Sequence, residues 1–264
     1  MIISHKHKYL FIEIAHTGSS AISDTLCELY DGKTILHKHA NYREFEKNAS
    51  EEEKNYFVFA AVRNPLDDAA TSYQKYINYP REKYKGNKRN EKICDFIKND
   101  DNDFGDYLKA FYMHPYTNQL NDNKRYCNYI MRYENLSEEL SKVLRLLGIK
   151  EIKPLPTRNK TEGKKNYLEY YPKEKDVIMH VKKNFGPFMS EWGYNFPQSW
   201  SDIDINSTTR LITQIEYEFI KKVTLHSSKY ENYSSKSGDG GFLLKQMNNL
   251  KNLTEALYQK INEK

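Results

Sequence analysis

The 264-residue sequence predicts an α/β fold with a central, mostly parallel sheet flanked by helices, followed by a helical C-terminal extension. Three observations predict it. Runs rich in aliphatic, β-branched and aromatic residues at 8–14, 56–62 and 126–133 read as buried strands. Segments with apolar residues at helical spacing follow each of them. Small or turn-forming residues separate the two kinds of element, and such strand–helix alternation favours parallel pairing. No run approaches the ~18 apolar residues of a membrane span.

The first strand, Lys8–Ile14, runs into Ala15-His16-Thr17-Gly18-Ser19-Ser20, and Ile22, Leu26 and Leu29 then mark a helix. Tyr56–Val62 is almost continuously apolar, as an interior parallel strand should be. Arg63-Asn64 ends it, and Pro65 suits the first turn of the helix that follows. Pro80–Asn90 reads as a loop, and 91–120 carries helical patches. After the strand at Tyr126–Tyr133, Leu136–Leu147 reads as a helix closed by Gly148. A polar loop, Pro154–Asn166, leads to a helical region at Tyr167–Phe188. These elements define an α/β domain at 1–197 and a polar, helical extension at 198–264. Within the extension Ser234–Gly241 is linker-like. Leu243, Met247, Leu250, Thr254, Leu257 and Ile261 form about three heptads, so 242–262 fits either a helix packed on the parent domain or a homo-oligomer contact.

Charge and cysteine content narrow the function. Lys and Arg number 41 against 36 Asp and Glu, a formal +5, without the clustered excess of a nucleic-acid binder. Three scattered cysteines with no CxxC pattern supply neither a disulfide framework nor a zinc site. The opening MIISHKHKY has no apolar leader core, so a cytoplasmic setting is expected.

Two strand ends carry candidate chemistry. The turn at 15–20 feeds a helix N-terminus, where backbone amides and the positive dipole end bind anions, and Thr17, Ser19 and Ser20 add hydroxyls. An ordinary capped turn would look the same. The turn has one Gly and no following Lys, unlike the G-x-x-x-x-G-K-[ST] loop of nucleotide triphosphatases. Arg63 ends the second strand, with Thr71 and Ser72 two helical turns later. Alone it could be a surface residue, but ligands of open α/β sheets sit at the carboxyl ends of strands. Two such strand ends suggest a ligand with two separate anionic groups.

Four segments in series then resemble the sulfotransferases that use 3′-phosphoadenosine 5′-phosphosulfate (PAPS). FIEIAHTGSSAI resembles their 5′-phosphosulfate loop, and VRNPLDDAATSYQKY their 3′-phosphate motif. MRYENLSEEL…LLGI is similar to the family's later strand and helix. NKTEGKKNYLEYYPKEKDVIMHVKKNFGPFMSEWGYNF resembles its C-terminal signature. The likeness spans about 8–197 and is closest in pattern to carbohydrate O-sulfotransferases and their bacterial or viral relatives. It implies a P-loop-like, three-layer fold that binds PAPS, or its product adenosine 3′,5′-bisphosphate (PAP), without a metal. Thr17, Gly18, Ser19 and Ser20 would hold the 5′-phosphosulfate, and Arg63 with Thr71 or Ser72 the 3′-phosphate. A loop with Lys160, Thr161 and Lys165 would close over the nucleotide. His16 stands where the family carries Lys, and Ala15 where it carries Pro.

Leu36-His37-Lys38-His39-Ala40 supplies candidate bases. Sulfuryl transfer needs a group to take the acceptor proton, and His suits that task near neutral pH. By resemblance to the H-x-H of glycan 2-O-sulfotransferases, His39 is the expected base, His37 the second choice, and a glycan hydroxyl the expected acceptor. A solvated basic loop would also fit, whereas metal binding lacks a third ligand. Two other functions remain on the same architecture. One is a binding module that has lost catalysis, a reading the His16 substitution keeps open. The other is a kinase-like phosphotransferase, which lacks its Walker Lys here.

Overall fold

The computed structural model describes residues 1–99, 102–156 and 161–227. Two compact units are distinguished within it: Met1–Phe104 with Asn118–Tyr171, and Gly105–Thr117 with the residues from Pro172 onward.

The first unit is built on a five-stranded sheet. Its strands are β1 (Ile2–Ser4), β2 (Tyr9–Phe11), β3 (Lys33–Thr34), β4 (Phe57–Val62) and β5 (Tyr129–Arg132), in the order β3-β1-β2-β4-β5. The helices of this unit include α1 (Ser19–Leu29), α2 (Tyr42–Glu46), α3 (Pro65–Asn78), α4 (Lys88–Asn99), α6 (Gln119–Asn123) and α7 (Leu136–Leu146); α5 (Phe104–Phe111) crosses into the second unit.

The sheet corrects the expectation of mostly parallel pairing. β2–β4 and β4–β5 are parallel, whereas β1–β2 and β1–β3 are antiparallel. Only His5–Lys8 separate β1 from β2, and so short a connection can make a hairpin but no crossover. β1 is three residues long, too short for its alternation to register as a strand in the sequence. β2 is also shorter than Lys8–Ile14, although the Ile12 amide extends the ladder by donating to the Phe59 carbonyl (2.9 Å). At the other edge, a 3₁₀ turn at Lys124–Tyr126 shortens the expected third strand.

β4 is the central parallel strand that its apolar run predicts, and it is buried from Val58 to Val62. On one face Tyr9, Phe11, Phe59, Ala61 and Met131 pack with Ile22 and Leu26 of α1 and Leu140, Val143 and Leu144 of α7. Leu10, Val58 and Ala60, which alternate with them, are buried as well, so both faces of the sheet are covered. The Phe11 and Phe59 rings lie 5.1 Å apart, tilted by 33°. Pro65 stands in the first turn of α3, and the Asn64 side chain accepts from the Leu66 amide. Gly148 follows α7 with φ +74°, the left-handed conformation suited to a glycine stop.

In the second unit, the helical region expected at 167–188 resolves into a 3₁₀ turn at Tyr167–Glu169, still in the first unit, and α8 (Lys175–Trp192). Pro172 separates the two. α8 packs with α9 (Ser207–Ser227): the buried Tyr217 donates to Glu191 (2.5 Å), as does Lys221 (2.9 Å). Ser234–Gly241 and the 242–262 heptads lie outside the described residues. Among the described residues, no helix is long and apolar enough to cross a membrane.

Phe59 is fully buried on the interior strand β4, against the rings of Tyr9 and Phe11 on β2. Phe59→Ala should cost about 3–5 kcal/mol in stability, read from the urea midpoint at unchanged slope.

Candidate functional site

Because β2 and β4 run parallel, their carboxyl ends open on the same side of the sheet, and the turns that follow line one cavity of about 660 Å³. The turn after β2 supplies His16, Gly18, Ser19 and Ser20, and β4 with α3 supplies Arg63, Thr71 and Lys75. The segment after α1 adds Lys38 and His39, and a polar loop adds Thr161, Lys164, Lys165 and Asn166. Tyr79 and Tyr133 complete much of the wall.

The turn is held in an unusual backbone shape. His16 (φ +63°) and Gly18 (φ +73°) are both left-handed, and Gly18 is the N-cap of α1. A β-carbon on Gly18 would lie 2.6 Å from Leu136 Cδ2 and 3.5 Å from the Tyr133 ring, so conformation and space both require glycine. No side chain caps α1, which leaves its first amides free for an anion. The Thr17 hydroxyl is not offered to the cavity. It is buried and donates to the Ile14 carbonyl (2.9 Å), tying the turn to the strand end. Ser20 Oγ accepts from Lys38 Nζ (2.8 Å).

Arg63 joins these segments. Its guanidinium is buried, with Nε and Nη2 on Asp67 (2.9 and 2.7 Å), Nη1 on the His16 carbonyl (2.8 Å) and Nη2 on Thr71 Oγ1 (2.6 Å). It also sits 4.2 Å from the centre of the Tyr133 ring. The Thr71 hydroxyl donates to the Asp67 backbone carbonyl (2.8 Å), and Lys164 pairs with the Asp67 carboxylate. His16 Nδ1 lies 2.6 Å from Asp68 and 3.4 Å from Ser72 Oγ, so Ser72 reaches the His16 ring.

The two histidines of the HKH element part company. His39 lines the cavity, and its Nδ1 lies 2.8 Å from the Glu13 carbonyl. A carbonyl can only accept, so Nδ1 carries the proton and the neutral ring has its lone pair on Nε2. His37 is exposed, lies 3.6 Å from Glu44, and is not among the lining residues. Thr161 and Lys165 join the cavity as expected, whereas Lys160 lies outside the described residues.

Three lysines of the wall escaped the sequence reading. Lys38 sits between the two histidines, Lys164 precedes Lys165, and Lys75 follows Thr71 by four residues on the same face of α3. Helical spacing from Thr71 was the available signal for Lys75. Neither Lys75 nor Lys165 has an acidic partner for its ammonium among the described residues. Burial pushes the Lys75 pKa down, Asp68 opposes that shift, and the nearby Arg63 charge adds to it.

An uncapped helix start, Arg63 at a strand end, and lysines from α3 and two loops thus line one cavity, chemistry suited to an anionic ligand. The profile of the sulfotransferase family matches residues 1–185, most of the chain. The chain belongs to the sulfotransferase family. No curated protein and no solved structure matches it. Among the described residues of this sulfotransferase, no cluster of three or more His, Cys, Asp or Glu side chains could hold a metal ion.

A half-buried ammonium that no carboxylate bonds directly is costly, and the nearby Asp68 charge offsets only part of that burial. The folded-state pKa of Lys75 is below its unfolded value, so the folded chain binds fewer protons at this group. The penalty is therefore full at neutral pH and fades as pH rises through the folded value towards 10.5. Lys75→Met should raise the Tm of the free protein at pH 7 while weakening the binding of an anionic ligand. Calorimetry at pH 7 and pH 10 should show the gain shrinking at the higher pH.

Proposed function

We propose that this sulfotransferase moves a sulfuryl group from PAPS to a carbohydrate hydroxyl, with His39 as general base. The observation that supports the donor assignment is one cavity that joins the uncapped first turn of α1 at one strand end to Arg63 at the other, with lysines from α3 and two loops, as suits a nucleotide with anionic groups at both ends of its ribose. The free amides of α1 and the Ser19–Ser20 pair are assigned to the 5′-phosphosulfate, and Arg63, Thr71 and Lys75 to the 3′-phosphate. Thr161, Lys164 and Lys165, with Lys160 beside them, are assigned to the strap over the nucleotide. The likeness of His37-Lys38-His39 to the H-x-H of glycan sulfotransferases supports a carbohydrate acceptor.

In the transfer, the acceptor oxygen attacks sulfur and its proton passes to Nε2 of His39. The bond from sulfur to the bridging oxygen breaks, and its electron pair stays on that oxygen as PAP leaves. The Glu13 carbonyl keeps the His39 ring in the tautomer that can accept the proton and favours the imidazolium that forms. Arg63 binds PAP through Nη1, which has a hydrogen left after its bond to His16, or by exchanging Asp67 for phosphate.

Saturating PAP, at about 100 times its Kd, should raise Tm by about 5–10 °C, and Arg63→Ala should remove that shift. A shift with ATP and magnesium but none with PAP would sink the assignment. His39→Gln should slow transfer by about 10²–10⁴-fold while PAP affinity changes little, measured by labelled-sulfate transfer and by calorimetric titration.

A further inference from the structure

We infer that Lys38 is the cation that neutralises the leaving oxygen, its ammonium hydrogen-bonding the bridging oxygen as the sulfur–oxygen bond breaks. The inference rests on the donor assignment above and adds a residue to it.

Negative charge develops on the bridging oxygen in the transition state, and a donor placed there accelerates transfer more than one placed on the ground state. The turn at 15–20 contains no Lys or Arg. Its only ionisable side chain, His16, has Nδ1 on the Asp68 carboxylate. Arg63 reaches the turn through the His16 carbonyl, bonds Asp67 and Thr71, and has its one remaining Nη1 hydrogen assigned above to PAP binding. Lys164 is paired with Asp67. Lys75 stands on α3 one helical turn beyond Thr71, the residue assigned with Arg63 to the 3′-phosphate.

Lys38 remains. It donates to Ser20 Oγ, a hydroxyl of the first turn of α1, and no carboxylate holds its ammonium among the described residues. The backbone around it is strained: Leu36 (φ +58°) and His39 (φ +67°) are both left-handed, and neither is glycine. Such outliers persist where surrounding contacts enforce them, and they collect at functional sites. Here the loop brings an ammonium and an imidazole to one cavity from adjacent residues. In the step, the acceptor oxygen bonds to sulfur, its proton goes to His39, and the electron pair of the broken bond goes to the bridging oxygen, which Lys38 stabilises while keeping its own proton.

The test is sulfuryl transfer from labelled PAPS to a mixture of unsulfated chondroitin and heparosan, with acceptor-free sulfate release from PAPS as a second readout. Lys38→Met should lower kcat and sulfate release by about 10²–10³-fold, while PAP affinity falls less than tenfold. Lys38→Arg should recover part of the loss. Adding His16→Lys to Lys38→Met, which returns an ammonium to the turn, should recover at least tenfold. A role confined to holding the loop or binding acceptor would raise KM without recovery by His16→Lys, and that result overturns the inference. Unchanged sulfate release in Lys38→Met overturns it too, even where PAP still stabilises the protein. Absence of any PAP shift in the wild type instead removes the donor assignment and this inference together.

Discussion

The buried guanidinium of Arg63 holds the site together, because segments far apart in the chain meet on it. It fixes the His16 carbonyl inside a turn with two left-handed residues, orients Thr71 on α3, and covers the ring of Tyr133 beyond β5. Glu134 supports the same junction by accepting from the Asn64 amide (2.8 Å). A charge this deep needs a counter-charge, and Asp67 supplies it; breaking one side of a buried pair typically costs about 3–5 kcal/mol. Asp67 also holds Lys164, so two cations share one carboxylate and the cluster keeps a net positive charge. The contact that makes the turn rigid is therefore also one that leaves the cavity ready for an anion.

The same arithmetic accounts for a function that the overall charge does not advertise. A formal +5 spread over 264 residues is modest. Within the cavity, however, Lys38, Lys75 and Lys165 have no acidic partner among the described residues, and Lys164 shares its acid with Arg63. Low-dielectric walls focus such a field on a small ligand. Burial of the Lys75 ammonium lowers its pKa, the Arg63 charge adds to that shift, and an anion bound beside them would offset both. Arg63 takes the most buried of these positions, where a planar guanidinium can serve the carboxylate, a carbonyl and a ring at once.

Strong local signals were legible in the sequence, and long-range ones were not. The apolar run of β4, Pro65 at the start of α3 and Gly148 after α7 each follow from a local rule and reappear in the structure. β1 could not be read, because three residues carry too little alternation and the antiparallel edge depends on pairing. The candidate site divides in the same way. The strand-end turn and Arg63 were legible because their positions follow from the strands themselves. That Thr17 spends its hydroxyl on Ile14, that Lys164 pairs with Asp67, and that His39 but not His37 reaches the cavity are tertiary facts. His37 and His39 are two residues apart in a loop, and their tertiary partners distinguish them: Glu44 for His37, and the Glu13 carbonyl, 26 residues away, for His39.

The left-handed residues at 16, 36 and 39 bear on why one short loop could carry two chemical roles. A non-glycine residue there costs on the order of 1–3 kcal/mol, so three of them represent a real expense in a protein of ordinary stability. None of the three is at a chain end, and two of them line the cavity. An extended loop would send Lys38 and His39 to opposite sides, as alternation demands. Left-handed geometry at Leu36 and His39 breaks that alternation and lets both residues line one cavity. Their Cα atoms are about 3.8 Å apart. On the assignment proposed here, that adjacency lets one loop serve both oxygens of an in-line displacement, the one that attacks and the one that leaves. The strain is then the structural cost of placing a base and an electrophilic cation side by side.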